Sequence, residues 1–395
     1  MSLDRNSIDH HRPVNNWPFF VLHILIQWKE HMLKHSKNLV ILLASVFLFS
    51  CFGVVEAKTA AKPKPKTVTK EFVRLFYTQN DKRATDSLIK NYRSVDVIAP
   101  QAYSVTATGT LIGGVNDGLM SVAKQHKIKV MPLIVNKNFS ASAAHSFLDD
   151  PASQSLTINA MVQEALQKNY WGWQVDFEQV HIDYKDKFTN FVANLGQALH
   201  QNGLVVSVAV IAQTSTVPTD YKNDYWQKFI GVYDYAALAS STDFISLMSY
   251  DDPGSTGPVT RYTWLQQVLK FTLQYVPAEK ISIGVPLYYW RWNENAGKRV
   301  ATGTYKQLVT KMNQFYMTKG YSTKEEAAYM RYRYKKTTYT IWYENNRSVK
   351  KKIDLIAKNQ LHGFSAWALG QEVPNVHQSL TSNKYTTPAE LAASL

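Results

Sequence analysis

Residues 171–178 read Trp-Gly-Trp-Gln-Val-Asp-Phe-Glu. In a β-strand alternate side chains share a face. Trp173, Val175 and Phe177 therefore point one way, and Gln174, Asp176 and Glu178 the other. The first set suits the covering helices of an α/β fold, the second the inside of a closed barrel. Two carboxylates and an amide on an interior line are costly unless they are paired or used. Asp176 and Glu178 stand about 7 Å apart along such a strand. Their proximity, with partial burial, should raise one pKa and leave a proton donor at neutral pH. Glu178, nearest the mouth, is the expected donor. On spacing alone an antiparallel strand with a solvated polar face competes with this reading.

Working outward, strand-like runs precede the octet at 73–77, 95–101 and 128–135, and the octet's own strand covers 173–178. Further runs follow at 204–211, 244–248, 281–285 and 364–369. The run 128–135 (IKVMPLIV) is apolar throughout, as in a strand buried on both faces. Helical patterns separate most of these runs. Asp150-Pro151 caps and opens one helix, and another carries Phe188, Phe191, Val192, Leu195 and Leu199 on one face. Alternation of this kind implies a parallel sheet with right-handed crossovers. At this length the α/β class narrows to a (β/α)8 TIM barrel. A doubly wound open sheet fits second, but no GxGxxG or GxxxxGK follows any strand. Between the seventh and eighth runs lie roughly 75 residues, too many for a loop. Within them, residues 337–343 (TTYTIWY) have the composition of a strand. A small α+β insertion is expected over about 287–360, raised on the barrel's active face.

The ends of the 395-residue chain read as processing signals. Lys34 and Lys37 precede an apolar run, 39–55, that closes on Val55-Glu56-Ala57. A basic region, an apolar core and small-x-small residues make a signal peptide, with cleavage expected after Ala57. Met32 is a competing start, and a lipidated Cys51 a competing fate. Residues 58–70 form a basic Lys/Pro linker, 71–380 the barrel with its insertion, and 381–395 a tail. The net charge of +14 calls for an anionic partner. An exported chain without an aromatic-basic repeat points to an envelope polymer and not to nucleic acid. One cysteine excludes an internal disulfide, a CxxC pair and a cysteine zinc site. No HExxH or paired metal spacing occurs, so no metal or cofactor is expected.

The octet resembles the fourth-strand signature of glycoside hydrolase family 18, the chitinase-like barrels, usually DGxDxDxE. Gly172, Asp176 and Glu178 match it, while Trp171 and Gln174 replace its first two Asp positions. Further segments resemble the sixth strand (LMSYDDPGSTGPV, 247–259), the seventh (ISIGVPLY, 281–288) and the eighth (GFSAWALG, 363–370). The third-strand SxGG is absent, and LIVNKN (133–138) stands there. The resemblance is nearest to the bacterial branch that includes spore and envelope peptidoglycan hydrolases.

The resemblance implies substrate-assisted, retaining hydrolysis of β-1,4 bonds beside N-acetylglucosamine, in peptidoglycan or chitin. Glu178 would protonate the glycosidic oxygen, and the sugar's own N-acetyl carbonyl would attack. Asp176 would stabilise the charged ring, and Tyr250, helped by Asp251, would hold the acetamido group. Trp367 would floor the subsite, with Met248, Gln174 and Trp290 among the substrate contacts. Trp290 and Trp292 fit equally well as clamps for the insertion. The rival class is a catalytically silent carbohydrate-binding barrel, against which stands the retained Glu178. The expected partner is a polysaccharide containing N-acetylglucosamine. The expected location is outside the cell or in a bacterial envelope, without a stable membrane partner once the leader is cut.

Overall fold

The apolar runs form eight strands: β1 (Val73–Gln79), β2 (Val97–Val105), β3 (Leu133–Asn136), β4 (Gly172–Asp176), β5 (Val205–Ile211), β6 (Phe244–Met248), β7 (Ile281–Pro286) and β8 (Gly363–Leu369). Each pairs in parallel with its neighbours, and β1 pairs with both β2 and β8, which closes the ring. The chain is a (β/α)8 barrel. The computed structural model describes residues 72–381 apart from residue 223. The leader, Cys51, the basic linker and the tail beyond 381 lie outside the described residues.

Local chemistry explains most element bounds. Asp150 caps the helix Pro151–Lys168, its Oδ1 accepting from the Ala152 N–H at 3.0 Å. The helix Lys185–Gln201 buries Phe188, Phe191, Val192, Leu195 and Leu199. Phe191 stacks on Phe177 at 5.6 Å, so the octet's apolar face does look toward the helices. Gly172 opens β4 because a Cβ there would lie 1.8 Å from the Val205 carbonyl oxygen. Any side chain would push β5 off β4.

Two runs differ from their expected extents. The run 128–135 is broken because Pro132 has no N–H to donate. The chain forms a two-residue strand, Lys129–Val130, and only then β3. The fourth strand ends at Asp176, so Phe177 and Glu178 project beyond its tip.

The barrel interior is layered. Leu75, Val97, Ala99, Met131, Leu133 and Phe244 form an apolar plug, joined at its edge by Trp171. Trp171 stacks on Phe244 at 6.3 Å, and so the residue in the motif's first Asp position belongs to the plug. A hydroxyl-rich layer completes the interior: Ser207 on β5, Ser246 on β6, Ser282 on β7 and Ser365 on β8, all buried.

Between β7 and β8 stands a five-stranded antiparallel sheet made of Tyr289–Asn293, Lys298–Gly303, Thr318–Ser322, Ala327–Tyr334 and Thr337–Tyr343. One face packs Tyr289, Met330, Tyr332 and Ile341 against Leu308 of the helix Tyr305–Met312. This is the small α+β insertion. It stops earlier than the residue 360 expected from sequence. The next helix, Asn346–Lys358, buries Val349, Ile353, Leu355 and Ile356 in the main core and serves as the last barrel helix. A buried ion pair, Lys352 Nζ to Glu344 at 2.8 Å, pins that helix to the end of the insertion.

Candidate active site

A cleft of about 1110 Å³ opens at the carboxyl ends of the strands, between the barrel and the insertion sheet. Asp176, Glu178, Met248, Tyr250, Asp251, Trp290 and Trp367 all border it, brought together from β4, β6, β8 and the insertion. Asp176 is 4% exposed at the bottom, and its Oδ1 has no hydrogen-bond partner. Burial first, then the charge of Glu178, pushes its carboxyl well above the usual range. Glu178 is half-buried above it, and burial followed by the charge of Asp251 raises it too. Each therefore takes up a proton more readily than a free carboxyl does, and the charge of one opposes ionisation of the other. Tyr250 meets Tyr288 edge-on at 6.4 Å, and burial keeps its phenol protonated. Trp367 lies half-buried, its ring 5.2 Å from that of Tyr77.

An acid over a buried carboxyl, with a phenol and an indole around them, suits attack on a sugar ring. The sequence profile described as glycosyl hydrolases family 18 matches residues 65–372. The chain belongs to glycosyl hydrolase family 18. Among curated relatives, the "uncharacterized glycosylase YvbX" of Bacillus subtilis (strain 168) is 27% identical over 75% of this chain and 87% of its own. The cortical fragment-lytic enzyme of the same organism is 25% identical over 69% of this chain and 64% of its own. Among solved structures, a chitinase from Chromobacterium violaceum ATCC 12472 superposes with a TM-score of 0.69 at 27% identity. That match covers 80% of this chain and all of the other.

In this family 18 hydrolase, Gln174 is not a cleft residue. It is fully buried and faces the serine layer, where its Nε2 donates to Ser207 Oγ at 2.8 Å and Ser246 Oγ at 2.9 Å. Those bonds continue through Ser365, 2.7 Å from Ser246 and 2.6 Å from Ser282. Strand parity explains the correction: Gln174 shares the interior line with Asp176 but sits one layer deeper, out of a substrate's reach. The amide thus ties β4 to β5 and β6 without adding a third charge.

Of the two roles open to Trp290, the structure favours the structural one. Only 3% of it is exposed, and the Arg299 guanidinium covers its ring at 4.1 Å. It stiffens the wall of the cleft and offers no open face for stacking. Trp292 acts as a clamp, its Nε1 donating to the Gly257 carbonyl at 2.6 Å and fastening the insertion to the loop after β6.

Two positioning residues were not singled out in the sequence. Asn136, at the tip of β3, accepts the Glu178 N–H on its Oδ1 at 3.0 Å and donates from Nδ2 to the Glu178 carbonyl at 3.0 Å. It belongs to the LIVNKN segment that stands where SxGG was sought. A polar residue closing an apolar strand next to β4 was the available signal. Beside it, the Tyr233 hydroxyl donates to the Phe177 carbonyl at 2.8 Å, so the segment beyond β4 is held on both sides. The second residue is Tyr288, whose hydroxyl donates to Asp251 Oδ1 at 2.6 Å. Asp251 itself holds a left-handed backbone, φ 56°, a conformation that Asp tolerates better than most residues. Among the described residues no cluster of three or more His, Cys, Asp or Glu side chains is arranged to hold a metal.

Proposed function

We propose that this enzyme is exported and hydrolyses β-1,4 bonds adjacent to N-acetylglucosamine, in peptidoglycan or chitin, with retention of configuration. The observation that carries the reading is Glu178, backbone-clamped by Asn136, standing over the buried Asp176 on the cleft floor. Glu178 delivers its proton to the glycosidic oxygen, whose bond to the anomeric carbon breaks as that sugar leaves as an alcohol. The N-acetyl carbonyl of the substrate closes on the anomeric carbon from the opposite face while the charge on Asp176 faces the developing cation. Water, giving its proton back to Glu178, then opens the cyclic intermediate with net retention. Tyr250 donates to the acetamido oxygen, Asp251 receives its nitrogen, and Met248 and Trp367 supply the apolar walls. The chitinase and cortical fragment-lytic relatives support the same substrate class.

Mass spectrometry and anomer analysis of products from chitin and from peptidoglycan test this. Retained configuration, with no cleavage beside a de-N-acetylated sugar, is expected. Efficient hydrolysis of a fully deacetylated chain, or inverted product, would overturn substrate assistance. Failure on both N-acetylated polymers would favour a silent carbohydrate-binding barrel. Export rests on the leader in residues 1–57. N-terminal sequencing of the native protein is expected to begin near Lys58. A lipid-modified start at Cys51 would place the protein on a membrane instead.

A further inference from the structure

Four carboxylates border the cleft: Asp176, Glu178, Asp251 and Asp252. Asp252 is neutralised by Arg261, whose Nη2 lies 2.9 Å from its Oδ1. The other three crowd the floor and the β6 rim, an arrangement that repels any anionic substrate. Two arginines border the same cleft, Arg83 and Arg299. Arg83 is engaged with Asp81 at 2.9 Å. Arg299 is different. Its guanidinium lies on the Trp290 indole, and no carboxylate of the described residues forms an ion pair with it. Asp251 feels its charge without touching it.

A neutral sugar chain gains little from such a group. A carboxylate gains much, because the guanidinium fork binds it through two short charge-assisted hydrogen bonds. The indole beneath already orders the side chain, so less conformational freedom is lost on binding. Its position on the strand Lys298–Gly303 puts it on the insertion wall.

We propose that Arg299 receives the carboxylate of an acidic sugar, making the cleft selective for a glycan in which N-acetylglucosamine alternates with a lactyl-bearing N-acetylated sugar, the peptidoglycan strand, over neutral chitin. This rests on the hydrolase reading of the cleft. Arg299 is then a specificity determinant outside the reacting groups.

The test is calorimetric binding to the full chain carrying Glu178→Gln, which removes turnover. Three probes of equal length are compared: an alternating tetrasaccharide with free carboxylates, the same chain methyl-esterified, and chitotetraose. Adding Arg299→Gln is expected to weaken the free-carboxylate probe about tenfold more than the other two. Arg299→Lys should recover part of that loss, and added salt should weaken the free-carboxylate probe most. Equal losses on all three probes would overturn the proposal and leave Arg299 a brace for Trp290. So would a parent protein that does not prefer the free carboxylate to its ester. Failure of the hydrolase reading appears separately, as native Glu178 protein that cleaves none of the three.

Discussion

Glu178→Gln is expected to lower turnover by about 10²–10⁴-fold or more, the range that general acid catalysis supplies. The amide keeps the shape of the side chain, and the two Asn136 bonds fall on the Glu178 backbone, so the segment beyond β4 stays in place. Sugar binding should therefore change little, and the unfolding midpoint at neutral pH should not fall, because Gln also removes a buried carboxyl whose pKa is raised. The decisive comparison is kcat against the dissociation constant for an N-acetylated oligosaccharide. Unchanged kcat would remove Glu178 from the chemistry. The pH profile has a definite sign. Burial and the charge of Asp251 raise the Glu178 carboxyl, so the protonated form survives above the usual carboxylate range. Activity in wild type should fall as pH rises through that raised value, giving a basic limb that the Gln variant cannot show.

Asp176→Asn is expected to cost turnover about 10²-fold or more while raising thermal stability at neutral pH. The loss follows from removing the charge that faces the developing cation. The gain follows from linkage. A carboxyl whose pKa is higher in the folded than in the unfolded chain binds more protons when folded. Its stabilising contribution is complete below the unfolded pKa and is lost as pH rises through the folded one. Asp176 is raised well above its ordinary value by burial, with the charge of Glu178 behind it. At neutral pH wild type carries the cost of that burial, and Asn does not. Each kcal/mol recovered should raise the midpoint by about 1.5 °C in a domain of roughly 310 residues. Thermal melts at neutral pH and near pH 4 separate the effects, because the difference between variant and wild type should shrink in acid. A variant less stable at neutral pH, or one that keeps full activity, would refute this account of the floor.

Much of this site was legible because its signals are local. The two-residue period of the octet placed Trp173 and Phe177 against helices and Asp176 inside the barrel. Pro151 and its capping Asp150 marked a helix start. The order of short apolar runs set the parallel topology, since a strand's faces and a helix's start are decided within a few residues. Depth along an interior line is another matter. Gln174 and Asp176 share a face, and only the serines brought in by β5, β6 and β8 show that one is sealed off while the other borders the cleft. The end of the insertion escaped the sequence for a similar reason. The amphipathic helix Asn346–Lys358 reads alike whether its apolar face covers a small sheet or the barrel, and the main core decides between them.

By itself, then, the sequence determined the run of strands and helices, the barrel their alternation implies, the shared face of Asp176 and Glu178 and the presence of an insertion, because periodicity and composition are read along the chain. Only the tertiary structure decided which distant side chains share the cleft. Asn136 and Glu178 are 42 residues apart, and Tyr288 and Asp251 are 37. Their hydrogen bonds exist because β3 lies against β4 and β6 against β7 once the ring closes. Arg299, which pairs with no carboxylate of the described residues, is of the same kind. Its charge is plain in the sequence, but the absence of a carboxylate partner among the described residues is a property of what folds around it.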